Sequence, residues 1–127
     1  MTIALWCVLI AGLLPYVGTA AAKWGFKNFD NNNPRDWLAR QTGFRARGNA
    51  AQANSFEVFP LFAAAVLIAS FLHASQPALD ALAVGFVATR VAYLICYITD
   101  RANLRSLFFM FAFACVMGIF IVAARAA

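Results

Sequence analysis

The residues of this chain that are best suited to chemistry are a carboxylate, an amide and several arginines on hydrophobic segments. Arg47, Asn54 and Glu57 are spaced by seven and three positions and lead into one such segment. At about 100° per helical residue, the three side chains fall within roughly 80° of one another and form a polar stripe. A carboxylate within a membrane span is unfavourable unless it is paired, so Glu57 is a candidate functional residue.

A second polar stripe is predicted on another hydrophobic segment. Arg90, Tyr93 and Tyr97 are spaced i, i+3 and i+7, so they share one helix face. Arg101 continues this face if the helix runs on. The simplest arrangement turns the two stripes toward each other, which predicts a buried ion pair between Glu57 and Arg90.

The start of a further hydrophobic segment carries Asn103, Arg105 and Ser106. Asn103 is predicted to be its N-cap. An arginine and a hydroxyl in a first helical turn direct donors at an anion, and an arginine stabilises the thiolate form of a neighbouring thiol. The unpaired arginines thus favour a pocket for a carboxylate or thiolate ligand. Two alternatives stay open: polar side chains that only hold helices together, and arginines that face lipid phosphates.

Composition places these segments in a membrane. Of the 127 residues, 64% are hydrophobic and 12% are charged, which is about half the charged share of a soluble protein. Four apolar stretches are long enough to span a bilayer, at about 2–22, 50–73, 78–98 and 104–124. The short second and third connections predict antiparallel neighbours, and the whole chain, 1–127, is predicted to be one all-α domain, an integral membrane four-helix bundle.

The charged residues predict the orientation of the bundle. The first connection, 23–48, and the third, 99–103, carry most of the basic residues, so the positive-inside rule places both in the cytoplasm and both termini outside. Basic residues in this position indicate topology and an anionic ligand rather than binding to nucleic acid. We find no phosphate-binding loop, dinucleotide motif or metal-ligand spacing in the sequence.

Two blocks of the sequence resemble the MAPEG family, the membrane-associated proteins in eicosanoid and glutathione metabolism. The first is Arg47-x6-Asn54-x2-Glu57, and the second runs from Arg90 through Tyr93 and Tyr97 to Ser106. Length, four spans and a long basic first loop agree with the family. The resemblance implies a homotrimer with glutathione sites between subunits near the cytoplasmic side. The compact loops favour a protein of a bacterial inner membrane.

The resemblance also implies roles by motif position. The implied glutathione contacts are Asn54, Glu57, Tyr93 and Tyr97, with Arg47 and Arg90 holding the site. Arg105 would stabilise the thiolate with Ser106 beside it, and Arg101 is a further candidate for binding the anion.

At two positions the chain departs from the pattern of one glutathione-using member of the family. Ala50 stands where that pattern has an arginine, and Val58 stands where it has a tyrosine.

The function expected from this resemblance is a glutathione-dependent transferase or peroxidase that acts on hydrophobic acceptors from the membrane lipid. The alternative is a non-catalytic lipid-binding or scaffold subunit of the same fold, which would join a larger membrane complex. A transporter or channel is least favoured, because the polar cluster is off-centre.

Overall fold

A computed structural model describes residues 1–26 and 28–127, and within these ranges the chain is helical and has no strand. Lys27, which belongs to the predicted basic loop, lies outside the described residues. The helices are α1 (Ile3–Ala22), α2 (Pro34–Ala39), α3 (Gly43–Phe71), α4 (Gln76–Ile98) and α5 (Ala102–Ala124). A 3-10 turn, Trp24–Phe26, follows α1.

Four of these helices are long and apolar enough to cross a membrane. α1 has 20 residues, α3 has 29, and α4 and α5 have 23 each. At 1.5 Å per residue, about 20 residues span the roughly 30 Å of hydrocarbon in a bilayer. The predicted all-α membrane bundle is therefore confirmed.

The helix α3 begins seven residues before the predicted span. Hydropathy locates only the apolar part of a helix. The helical backbone of α3 begins earlier, and its first turns contain basic residues. Two of these arginines are held by carbonyl groups at helix ends. Arg45 Nη1 donates to Ala22 O at 3.1 Å, and Arg47 Nε donates to Ile98 O at 3.1 Å. Cations favour the C-terminal ends of helices, here α1 and α4.

The core forms where the four long helices meet. α4 packs most extensively against α5, and α1 against α3, while α3 also contacts α4 and α5. Phe62 of α3 and Phe86 of α4 are fully buried or nearly so, and their rings stack at 3.8 Å between centroids. This stack fixes the spacing of α3 and α4 below the polar stripes.

α1 and α3 approach closely through small residues at the end of the bundle that carries the basic loop. A Cβ atom added to Gly48 would lie 2.9 Å from Ala22 N and 3.0 Å from Gly18 O. Such distances leave no room for a side chain, because the contacts are to backbone atoms. Glycine allows this crossing, as small residues commonly do between membrane helices.

The turn from α4 to α5 is only three residues long. Asp100 adopts a left-handed conformation, with φ of 62°, and Arg101 N donates to Cys96 O at 2.8 Å. This pattern closes the C-terminus of α4. α4 stops at Ile98, so its polar face does not continue to Arg101. One prediction is wrong, because the N-cap of α5 is Arg101 rather than Asn103.

At the end of the bundle away from the basic loop, an acidic residue that sequence analysis did not single out joins α4 to α1. Asp80 lies in the first turns of α4, and its Oδ1 accepts from Ala4 N at 2.8 Å and from Gln76 Nε2 at 2.7 Å. Thr2 Oγ1 also accepts from Leu5 N. The N-terminus of α1 is thus capped by its own threonine and by an aspartate of another helix.

Candidate functional site

A chain of hydrogen bonds connects the two predicted polar stripes. Arg90 Nη2 donates to Asn54 Oδ1 at 2.8 Å and to Ser55 Oγ at 3.3 Å. Asn54 Nδ2 in turn donates to Glu57 Oε2 at 3.5 Å. The stripes of α3 and α4 therefore meet as predicted, with Asn54 at the centre.

The predicted ion pair between Glu57 and Arg90 is wrong. Their charged atoms do not come within 4.0 Å, whereas Asn54 contacts both side chains. The reason is register, because Arg90 meets α3 about one turn before Glu57. Glu57 is left exposed on the surface of the single chain.

Arg90 is almost completely enclosed, with 2% of its surface exposed. Its Cζ lies 4.0 Å from the centroid of the Tyr93 ring. Its Nη1 is buried and has no hydrogen-bond partner among the described residues. One side of the guanidinium is thus bonded to α3, and the other keeps an unused donor.

A largely apolar groove opens beside this network, and we call it the α3–α4–α5 groove. It has a volume of about 130 Å³, and its charged lining residues are Glu57 and Arg90. The remaining lining is apolar and includes Val58, Leu61, Phe86, Phe109, Ala112 and Phe113. The groove thus combines hydrocarbon walls with two polar groups of opposite charge.

A second, more polar groove lies between α4 and α5 toward the basic loop, and we call it the α4–α5 groove. Its volume is about 290 Å³, and its lining includes Tyr93, Tyr97, Arg105, Ser106 and Phe109. Phe109 lines both grooves, so they adjoin along α5.

Arg105 is the positive charge of the α4–α5 groove. Its Cζ lies 4.4 Å from the centroid of the Tyr97 ring, and that ring meets Tyr93 edge-on at 5.6 Å. Among the described residues no carboxylate comes within 4.0 Å of Arg105. An aromatic face holds a guanidinium in place without neutralising it, so Arg105 keeps its charge for an anion.

The structure thus divides the predicted site residues into groups. Tyr93, Tyr97, Arg105 and Ser106 come together in the α4–α5 groove, whereas Glu57 and Arg90 line the α3–α4–α5 groove. Asn54 joins Arg90 to Glu57 without appearing in the lining of either groove.

Arg47 and Arg101 lie outside both grooves within the single chain. Arg47 binds the Ile98 carbonyl and lies 3.9 Å from Asp100 Oδ2, while Arg101 is exposed at the start of α5. Arg47 is therefore a tie between α3 and the C-terminus of α4.

Two contributors were missed by sequence reasoning. Ser55 is buried, donates to Ala51 O at 2.8 Å and accepts from Arg90. Its position next to Asn54 in the sequence could have indicated this role, because a long side chain such as Arg90 can reach two neighbouring residues of a helix. Phe109 is one of several phenylalanines in α5, and nothing in their spacing distinguishes it as a residue that lines both grooves.

The fold and the site define the class of the protein. It is an integral membrane protein with four spans and a polar network that joins two of them, α3 and α4. A family model described as MAPEG family matches residues 3–125, so the chain belongs to the MAPEG family. Comparison with curated proteins gives no match.

Proposed function

We propose that this protein is a glutathione-dependent transferase or peroxidase that acts on hydrophobic electrophiles from the membrane lipid. The proposal is carried by Arg105, a guanidinium that stacks on Tyr97 in the α4–α5 groove and has no carboxylate partner among the described residues. Membership of a family that includes glutathione transferases and peroxidases supports it.

The lining of the α4–α5 groove fits an anionic thiol compound. Glutathione bound there would supply the sulfur nucleophile. Arg105 would stabilise its thiolate by charge and hydrogen bonding, and Ser106 would direct a hydroxyl at the same anion. The phenol of Tyr93 adds a donor in the same groove, and the ring of Tyr97 positions Arg105. Arg105 and Ser106 are therefore the proposed catalytic pair.

The remaining proposed glutathione contacts lie on another face of the chain. Asn54 and Glu57 would bind the polar backbone and the amino group of the tripeptide, but Glu57 is exposed in the single chain. A neighbouring subunit could bring its own Glu57 to the α4–α5 groove. The exposure of Glu57 therefore supports the proposed homotrimer, in which each glutathione site is shared by two chains. Arg47, Arg90 and Arg101 would hold or surround that site.

The α3–α4–α5 groove is the proposed route for the hydrophobic acceptor. It adjoins the α4–α5 groove at Phe109, and its apolar walls suit a molecule that dissolves in the bilayer. The distribution of basic residues supports an orientation with loops 23–48 and 99–103 in the cytoplasm and both termini outside. The proposed location is a bacterial inner membrane, in keeping with the compact loops.

The proposal is tested by thiolate formation in purified protein. Glutathione added to wild-type protein should produce the ultraviolet absorbance of a thiolate, and Arg105→Ala should abolish most of it. Arg125→Ala is the matched control, because this exposed arginine follows the far end of α5 and lines neither groove, and it should leave most of the signal. No signal in the wild type, or an equal signal in Arg105→Ala, would sink the mechanism.

The second candidate is a non-catalytic lipid-binding or scaffold subunit, which would join a larger membrane complex. It is favoured by the hydrogen bond between Asn54 and Arg90, which uses two proposed ligand contacts for helix packing, and by Ala50 and Val58, which lack the expected polar groups. Native mass spectrometry separates the candidates. A trimer with bound glutathione supports the enzyme, whereas copurifying lipid without glutathione binding supports the alternative.

A further inference from the structure

We infer that the α3–α4–α5 groove binds a small, uncharged, carbonyl-bearing molecule from the bilayer, whose carbonyl oxygen accepts a hydrogen bond from Arg90. A single-ring aryl ketone represents this chemistry. In the proposed enzyme the same molecule would be the acceptor, so its place in a reaction rests on the proposed function. Its binding requires no thiol and can be tested alone.

The requirement for an acceptor group comes from Arg90. The side chain lines the groove and is 2% exposed, and its Nη1 is buried without a partner among the described residues. Guanidinium nitrogens only donate hydrogen bonds, so the complementary ligand atom is an acceptor. The hydrocarbon core of a bilayer contains no water that could accept this hydrogen bond. The buried Nη1 donor of Arg90 is therefore unfavourable until a ligand supplies an acceptor.

The requirement for a neutral ligand comes from the second charge in the groove. Glu57 lines the same groove as Arg90. A carboxylate ligand would be repelled by Glu57, and a cation would be repelled by Arg90. A ketone oxygen accepts a hydrogen bond from the guanidinium of Arg90 without adding charge. A neutral ketone is therefore repelled by neither Glu57 nor Arg90.

The size and walls of the groove set the shape of the ligand. Its volume of about 130 Å³ is close to that of the engineered apolar cavity of roughly 150 Å³ that binds benzene. Phe86, Phe109 and Phe113 contribute aromatic walls. One aromatic ring with a short substituent therefore fits, and such rings pack favourably against phenylalanine.

The test uses 4-azidoacetophenone, a single-ring ketone that crosslinks on illumination, with wild-type protein in lipid nanodiscs and no thiol present. Peptide mass spectrometry should place the label on residues of the α3–α4–α5 groove. Val58→Phe fills the groove and should remove most of the label. Val91→Phe is the matched control, because Val91 is an exposed residue of α4 that lines neither groove, and it should keep the label.

The role of Arg90 is tested by the ligand rather than by a variant, because replacing Arg90 would also disrupt its bonds to α3. Acetophenone and α-methylstyrene have the same shape, but only the ketone has an acceptor. At equal concentration in the lipid phase, acetophenone should displace the label about tenfold more effectively, since a hydrogen bond to a charged group contributes about that factor.

Equal displacement by the two competitors would overturn the role of Arg90. Label outside the groove, or label that survives Val58→Phe, would overturn the site. These failures are distinguishable from failure of the proposed function, since the thiolate absorbance depends on Arg105 and on glutathione, neither of which enters the labelling experiment.

Discussion

Arg90 Nη2 donates a hydrogen bond of 2.8 Å to Asn54 Oδ1 and so joins α4 to α3 within the apolar bundle. The same asparagine donates to Glu57, which links the buried cation to the exposed carboxylate without direct contact between the two charges. Asn54 is therefore the residue on which the polar network depends, and removing it leaves Arg90 with only Ser55 on that side.

Asn54→Ala should destabilise the bundle. The change leaves a buried guanidinium short of an acceptor, and the cost of such an unsatisfied group is about 1–3 kcal/mol. Unfolding of the detergent-solubilised protein, followed by circular dichroism, measures the effect. Asn103→Ala is the control, because Asn103 is exposed in the first turn of α5, and it should change stability little. Equal losses in the two variants would contradict the structural role of Asn54.

Replacing the Tyr97 ring should weaken glutathione binding, whereas removing only its hydroxyl should not. The aromatic face holds Arg105 at 4.4 Å, and such cation–π contacts contribute about 0.5–1 kcal/mol at exposed sites. Tyr97→Leu should therefore raise the apparent Kd, read from the thiolate absorbance, about two- to fivefold. Tyr97→Phe should stay near the wild type. If Tyr97→Phe matches Tyr97→Leu, the hydroxyl acts on the ligand and the ring does not position Arg105.

Gly48→Ala should force α1 and α3 apart. The added Cβ would lie 2.9 Å from Ala22 N, and backbone atoms cannot move aside alone. Overpacking of this kind costs about 1–3 kcal/mol. Gly118→Ala is the matched control, since its new Cβ would meet Leu82 at 3.1 Å, at the flexible end of a side chain. Thermal unfolding should show the larger loss for Gly48→Ala, and the reverse order would contradict the close crossing.

Asp30 should titrate below the ordinary range for aspartate. A hydrogen bond from the Asn33 side chain lowers the pKa of this exposed carboxyl group, and the Asn32 N–H adds to the effect. A lowered folded-state pKa means that these bonds stabilise the loop above the unfolded-state pKa. They are lost as the pH falls through the folded value.

Titration of the Asp30 carboxyl carbon by NMR measures this pKa in the wild type and in Asn33→Ala. The substitution should raise the pKa toward its ordinary value, because the largest cause of the shift is removed. A wild-type pKa at or above the ordinary value would contradict the loop geometry.

The sequence by itself determined the membrane bundle and which residues are polar within it. Apolar runs of about 20 residues and helical spacing are local properties, so the four spans and the face shared by Tyr93 and Tyr97 could be predicted without knowing how helices meet. The family motif added the expectation of a thiol site at Arg105.

Only the tertiary structure decided the partners of those residues. The register of α4 relative to α3 places Arg90 beside Asn54 and Ser55 instead of Glu57. This register depends on packing between helices, such as the Phe62–Phe86 stack and the close crossing of α1 and α3 at Gly48. The left-handed Asp100 ended α4 and separated Arg101 from the tyrosines. These outcomes depend on contacts between residues distant in the chain, which local spacing does not contain.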